Sequence, residues 1–72
     1  MEVQSIIFKK PFFTKQQAIK WLQDHKLKKS FRGKLIEETY ESFRMRQKDP
    51  SRYKSFKTKI INEGISFVFG IQ

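Results

Sequence analysis

The 72-residue chain carries 16 Lys and Arg against 7 Asp and Glu, a formal net charge of +9, with no cysteine and a single histidine. That balance excludes a disulfide scaffold and a Cys/His metal site, and the length limits the chain to one small domain that hides only about 60% of its unfolded surface. Stability must come from packing of the eight Phe, two Tyr and Trp21, while repulsion at this charge is most commonly tolerated for the sake of an anionic partner.

Taken in order, Val3 to Phe8 reads as a first strand, with Ile6, Ile7 and Phe8 in a row before Lys9-Lys10-Pro11. The same break leaves no signal-peptide pattern, and no run approaches the roughly 20 apolar residues of a membrane span, so a soluble intracellular protein without membrane contact is expected. Thr14 and Gln17 have the spacing of a capping box, with Phe13 placed to staple against Ala18. From Lys15 to about Lys26 the residues Ala18, Ile19, Trp21 and Leu22 form one helical stripe that should face a sheet. His25 falls at the end of that helix, where it suits the helix dipole; no nucleophile or orienting acid recurs around it, so packing rather than catalysis is expected. Trp21 is read as core.

Lys26 to Lys34, KLKKSFRGK, has no periodicity and reads as a basic loop. Charge runs are usually solvated faces, but Lys28, Lys29 and Arg32 are candidates to extend a binding surface. Leu35 to Tyr40 and Phe43 to Gln47 read as an antiparallel hairpin turning near Glu41-Ser42. A helix over Leu35 to Met45 competes, because that stretch has no proline or glycine. In the strand reading, Arg44 and Arg46 share one face while Phe43, Met45 and Gln47 share the other. One strand then serves a core and a binding face together.

Asp49-Pro50-Ser51 stops that strand, since proline lacks the ladder N–H and Asp and Ser favour turns. Arg52 and Lys54 are expected on a turn or one short helical turn. Phe56 to Ile61 then leads through Asn62-Glu63-Gly64, a turn in which Gly64 takes positive φ, into Ile65 to Ile71. In that last strand Ile65, Phe67, Phe69 and Ile71 alternate with Ser66, Val68 and Gly70, and an edge so apolar belongs inside the sheet. The expected fold is a single α+β domain over residues 1–72, β-α-β-β-β, with one helix on a three- to four-stranded, mainly antiparallel sheet.

The uncovered face of such a sheet would carry the basic and aromatic residues between Phe43 and Lys59. Arg44 and Arg46 suit bidentate phosphate contacts, Lys57 and Lys59 extend the track, and Arg52 with Tyr53 closes one side. Two alternatives stay open. Arg44 and Arg46 can pair with Glu37 and Glu38 across the hairpin, and the basic face can dock on an acidic protein surface with Tyr53 or Phe56 as anchor. The Glu37, Glu38 and Glu41 cluster more simply forms surface ion pairs than acid-base or metal chemistry. No cofactor, metal or enzymatic activity is expected, and the pattern does not separate DNA from RNA or fix an oligomeric state.

The order of residues adds a resemblance. VQSIIFKKPFFTKQQAIKWLQDHKLK, then ETYESFRMRQKDPSRYKSFKTK, then GISFVFGIQ, resembles a short module of tailed phages and large DNA viruses. It matches at Trp21-Leu22, Phe43, Arg44, Arg46, Gln47, Asp49-Pro50, Phe56, Thr58-Lys59, Gly64-Ile65, Val68 and Gly70. The resemblance implies a viral setting, in an infected host cell or a virion, and a stand-alone fold; it names no activity. The resulting expectation is a small non-enzymatic viral module that binds the phosphate backbone of nucleic acid, single-stranded or by shape. The alternative is a protein-interaction module of a viral transcription or virion assembly.

Overall fold

The computed structural model describes residues 2–31 and 33–72, with backbone alone at 31, 34 and 35. Its elements in chain order are β1 (Glu2–Lys9), α1 (Lys15–Asp24), β2 (Ser30–Phe31), β3 (Lys34–Leu35), β4 (Glu37–Glu38), β5 (Ser42–Arg46), a 3₁₀ turn (Pro50–Arg52), β6 (Ser55–Asn62) and β7 (Ile65–Ile71). The principal sheet has five strands in the order β4-β5-β1-β7-β6, all antiparallel, and β2 with β3 forms a separate ribbon. The architecture is α+β as expected, with five strands in the principal sheet where three to four were anticipated and two more in the ribbon.

β1 sits at the centre because its inner residues are apolar on one face throughout. Ile6 lies opposite Met45 on one side and Phe67 on the other, and Phe8 lies opposite Phe43 and Ile65. Ala18 and Leu22 of α1 close over this row, and Ile6, Phe8, Ala18 and Leu22 have no exposed surface. Each large side chain buried in this way contributes about 1.5–3 kcal/mol. Phe13 and Trp21 pack edge-on to the Phe8 ring at centroid distances of 5.3 and 5.6 Å, so Trp21 belongs to the core. The hairpin of β4 and β5 forms, and the competing helix does not. A helix would have turned Met45 away from Phe43 and Gln47, whereas the strand buries all three together.

The helix starts as its cap dictates. Thr14 Oγ1 accepts from the Gln17 N–H at 3.2 Å, and the Gln17 side chain accepts from the Thr14 N–H at 2.9 Å, an arrangement that contributes about 1 kcal/mol. It ends two residues before the expected Lys26. Lys26 adopts φ 57°, its N–H bonds to the Gln23 carbonyl at 3.1 Å, and the Leu27 N–H reaches back to the Leu22 carbonyl at 2.8 Å. These bonds make a Schellman terminus with lysine where glycine is usual, which is why no sequence signal announced it. The stretch 26–34, expected as a plain loop, holds β2 and the start of β3, whose strands are too short to show a period, with Gly33 at φ 78° in the turn between them. Leu35 pairs with Ser30 in this ribbon, so the hairpin strand expected over Leu35 to Tyr40 is reduced to β4, Glu37–Glu38.

Because a left-handed residue with a Cβ is disfavoured by about 1 kcal/mol relative to glycine, Lys26→Gly should raise stability by about 0.5–1 kcal/mol, measured by urea unfolding. A loss of stability would contradict this account of the helix end.

Candidate nucleic-acid interface

In antiparallel pairs, residues opposite one another share a face, so the registers define the side of the sheet that α1 leaves uncovered. One row across it runs Glu37, Arg44, Ile7, Ser66, Ile60; the next runs Arg46, Ser5, Val68, Thr58. A third holds Glu2, Gly70 and Phe56. Between them lies an open groove of about 350 Å³ whose lining includes Ile7, Arg44, Arg46, Phe56, Thr58 and Val68. Arg44 and Arg46 are both half-buried in this wall.

Neither arginine forms an ion pair among the described residues. Glu38 lies opposite Phe43, on the helix side, and takes the Lys10 ammonium at 2.7 Å. Glu37 is in register with Arg44 but does not engage it in an ion pair. The cross-hairpin pairing considered from the sequence is therefore not made. The Arg44 Nε is buried and has no hydrogen-bond partner, an unmet donor of a kind that costs about 1–3 kcal/mol.

Tyr53 is placed differently from the expectation that it closes a binding track. It is buried, with its ring flat against Gly70, so that a Cβ at that position would lie 2.4 Å from Tyr53 Cγ. Its hydroxyl donates to Glu2 Oε2 at 2.8 Å, and Lys48 Nζ donates to the same oxygen at 2.6 Å. These two bonds, Lys48 first, hold the Glu2 carboxyl below the usual carboxylate range, with Arg52 adding a smaller effect against the opposing effect of desolvation. Desolvation, then the bond to Glu2, pushes the Tyr53 phenol up. Tyr53 thus pins the 3₁₀ turn to the ends of β1 and β7. Asp49 Oδ1 caps that turn, accepting from the Ser51 N–H at 2.9 Å, and leaves Arg52 exposed at its end.

The remaining candidates do not join the groove. Lys57 and Lys59 lie opposite Phe69 and Phe67, on the helix side of the sheet, so they do not continue the Arg44–Arg46 track. The period-two alternation separates Lys57 and Lys59 from Phe56 and Thr58. Lys28 is held by its backbone: Gln47 Oε1 accepts from its N–H at 2.9 Å and Gln47 Nε2 donates to its carbonyl at 3.0 Å. Lys29 follows it, exposed, and Arg32 lies outside the described residues. Phe56, 46% exposed, belongs to the basic and aromatic stretch expected to form the working surface and is the alternative anchor for a protein partner; the register of β6 on β7, which local pattern does not fix, puts it opposite Gly70 on the groove side.

No family model, curated protein or solved structure matches the chain. Its chemistry is read from the site alone. His25 stacks on Trp21 at 3.9 Å, and its Nδ1 lies 2.8 Å from the Trp21 carbonyl, a helix-end role. Among the described residues no three His, Cys, Asp or Glu side chains gather to hold a metal, and no helix is long and apolar enough to cross a membrane.

Glu2 has a lowered folded pKa, so its contribution to stability is present above the ordinary carboxylate value of 4.5 and is lost as pH falls through the lower folded value. Chemical unfolding at pH 7 and pH 3 should show a smaller pH difference for Glu2→Gln than for the parent protein. An identical difference would contradict the pinning role of this carboxylate.

Proposed function

We propose that the protein is a non-enzymatic nucleic-acid-binding module that takes the phosphate backbone on the uncovered sheet face, with Arg44 and Arg46 as its principal contacts. The observation that carries this reading is the pair of half-buried guanidinium groups, unpaired by any carboxylate among the described residues although Glu37 stands in register beside one of them. Holding two like charges in a groove wall without counter-charge is unfavourable in the free protein and becomes favourable when an anion arrives. The Arg44 Nε, a donor without an acceptor, supports the same reading. Arg52 flanks the site, while Lys28, Lys29, Lys57, Lys59 and Arg32 add to the field that draws a polyanion in. The resemblance to a phage and large-DNA-virus module supports a viral setting, in the infected cell or the virion.

One observation favours a second reading, docking on an acidic protein. β6 is an edge strand exposed along its length, with Ile60 76% exposed beside Phe56, and such an edge can accept a partner strand.

Fluorescence anisotropy of labelled oligonucleotides at two salt concentrations separates the two. Backbone binding predicts affinity that falls steeply with salt, with Arg44→Ala/Arg46→Ala reducing the log-log slope by roughly 1.4 on single strands or 1.8 on duplex, and Lys57→Ala/Lys59→Ala changing affinity much less. No binding at low salt would overturn the nucleic-acid reading in favour of the protein partner.

A further inference from the structure

Resting on the nucleic-acid reading, we infer that the ligand is a single strand, with one unstacked base seated on Phe56 while the adjoining phosphates meet Arg44 and Arg46. The aromatic chemistry of the open face is confined to one place. Tyr53 and Phe56 are the aromatic residues on it among the described residues, and Tyr53 is spent on Gly70 and Glu2. Phe56 keeps nearly half its surface exposed, and Tyr53 meets it at a centroid distance of 6.0 Å and 69° between planes, so one ring buttresses the other and fixes its orientation. An exposed, braced ring at the edge of a polar groove is a stacking platform.

The spacing fits the same ligand. From β6 to β5 there are three strand intervals, roughly 14 Å at the usual sheet spacing, and long arginine side chains reach back over part of that distance. A strand lying across the sheet bridges Phe56 and the arginines within one or two nucleotides. A duplex does not, because its bases are stacked inward and offer no ring face to Phe56, leaving it only the arginines. Thr58, two residues from Phe56 on β6, and Ser66 on β7 supply hydroxyls that donate and accept alike, which suits tolerance of base identity. A single platform also implies a short footprint, near the lower end of the roughly 4–16 nucleotides that small sheet modules occupy.

The test is anisotropy with fluorescein-labelled 4-, 8- and 12-nucleotide single strands of mixed sequence, DNA and RNA, and the matching 12-base-pair duplexes, using the parent protein, Phe56→Ala, Phe56→Trp and Arg44→Ala/Arg46→Ala. Phe56→Ala should weaken single-strand binding roughly 5- to 150-fold and leave duplex binding within about twofold, with Phe56→Trp restoring the single-strand affinity. Equal loss on single strand and duplex, or no loss with Phe56→Ala, would overturn the base seat while continued dependence on the two arginines left backbone binding standing. Absence of binding to every oligonucleotide would overturn both. Far-ultraviolet circular dichroism of each variant excludes unfolding as the cause, and Phe56 lies outside the buried core.

Discussion

One helix cannot cover both faces of a five-stranded sheet, and this constraint shapes the molecule. α1 spends its stripe of Ala18, Ile19, Trp21 and Leu22 on the side of Ile6, Phe8, Phe43, Met45 and Ile65, the one helix-covered core among the described residues, as a chain of this length has room for one small core. The opposite face must meet water or a partner. Its composition answers to that exposure: Arg44, Arg46, Ser66 and Thr58 are interspersed with Ile7, Val68 and Phe56 rather than forming a second apolar layer, and the buried Ser5 hydroxyl donates to Gln4 Oε1. The strands that build the core therefore build the uncovered face too, one residue out of phase.

The ends of the sheet are held by polar side chains that look from composition like surface residues. The Gln4 carbonyl, at the β1 bulge, accepts the N–H groups of Gln47 and Lys48 at 2.7 and 3.2 Å, and Gln4 Nε2 returns a bond to the Lys48 carbonyl at 3.0 Å. Glu2 draws in Lys48 and Tyr53, and Gln47 grips the backbone of Lys28. Buried polar groups satisfied in this way fix one arrangement of the connections. Against that background the unmet Arg44 Nε stands out, because the buried polar side chains of Gln4, Ser5 and Gln47 all have hydrogen-bond partners.

What was legible in the sequence was whatever depends on local pattern. Thr14 to Gln17 announced the helix start, the alternation of Phe43 to Gln47 separated core from arginines, and Asp49-Pro50-Ser51 and Gly64 placed the turns. What was not legible depends on pairing at a distance. The face of Lys57 and Lys59 follows from the register of β6 on β7, and the burial of Tyr53 follows from the missing side chain at Gly70, 17 positions along the chain. The left-handed Lys26 carries no glycine to betray it, and the β2–β3 ribbon is too short for a period.

The central claim is that ligand meets the face bearing Arg44 and Arg46 and not the face bearing Lys57 and Lys59. Nitrogen-15 NMR of the protein titrated with a short single-stranded oligonucleotide tests it most directly, because the arginine Nε–Hε resonances report on the side chains themselves. The account predicts that Arg44 and Arg46 Nε–Hε shift strongly together with the amides of Ile7, Phe56 and Val68, while α1 amides stay nearly unmoved. Shifts concentrated on α1, Lys57 and Lys59, with the two arginines unchanged, would contradict it.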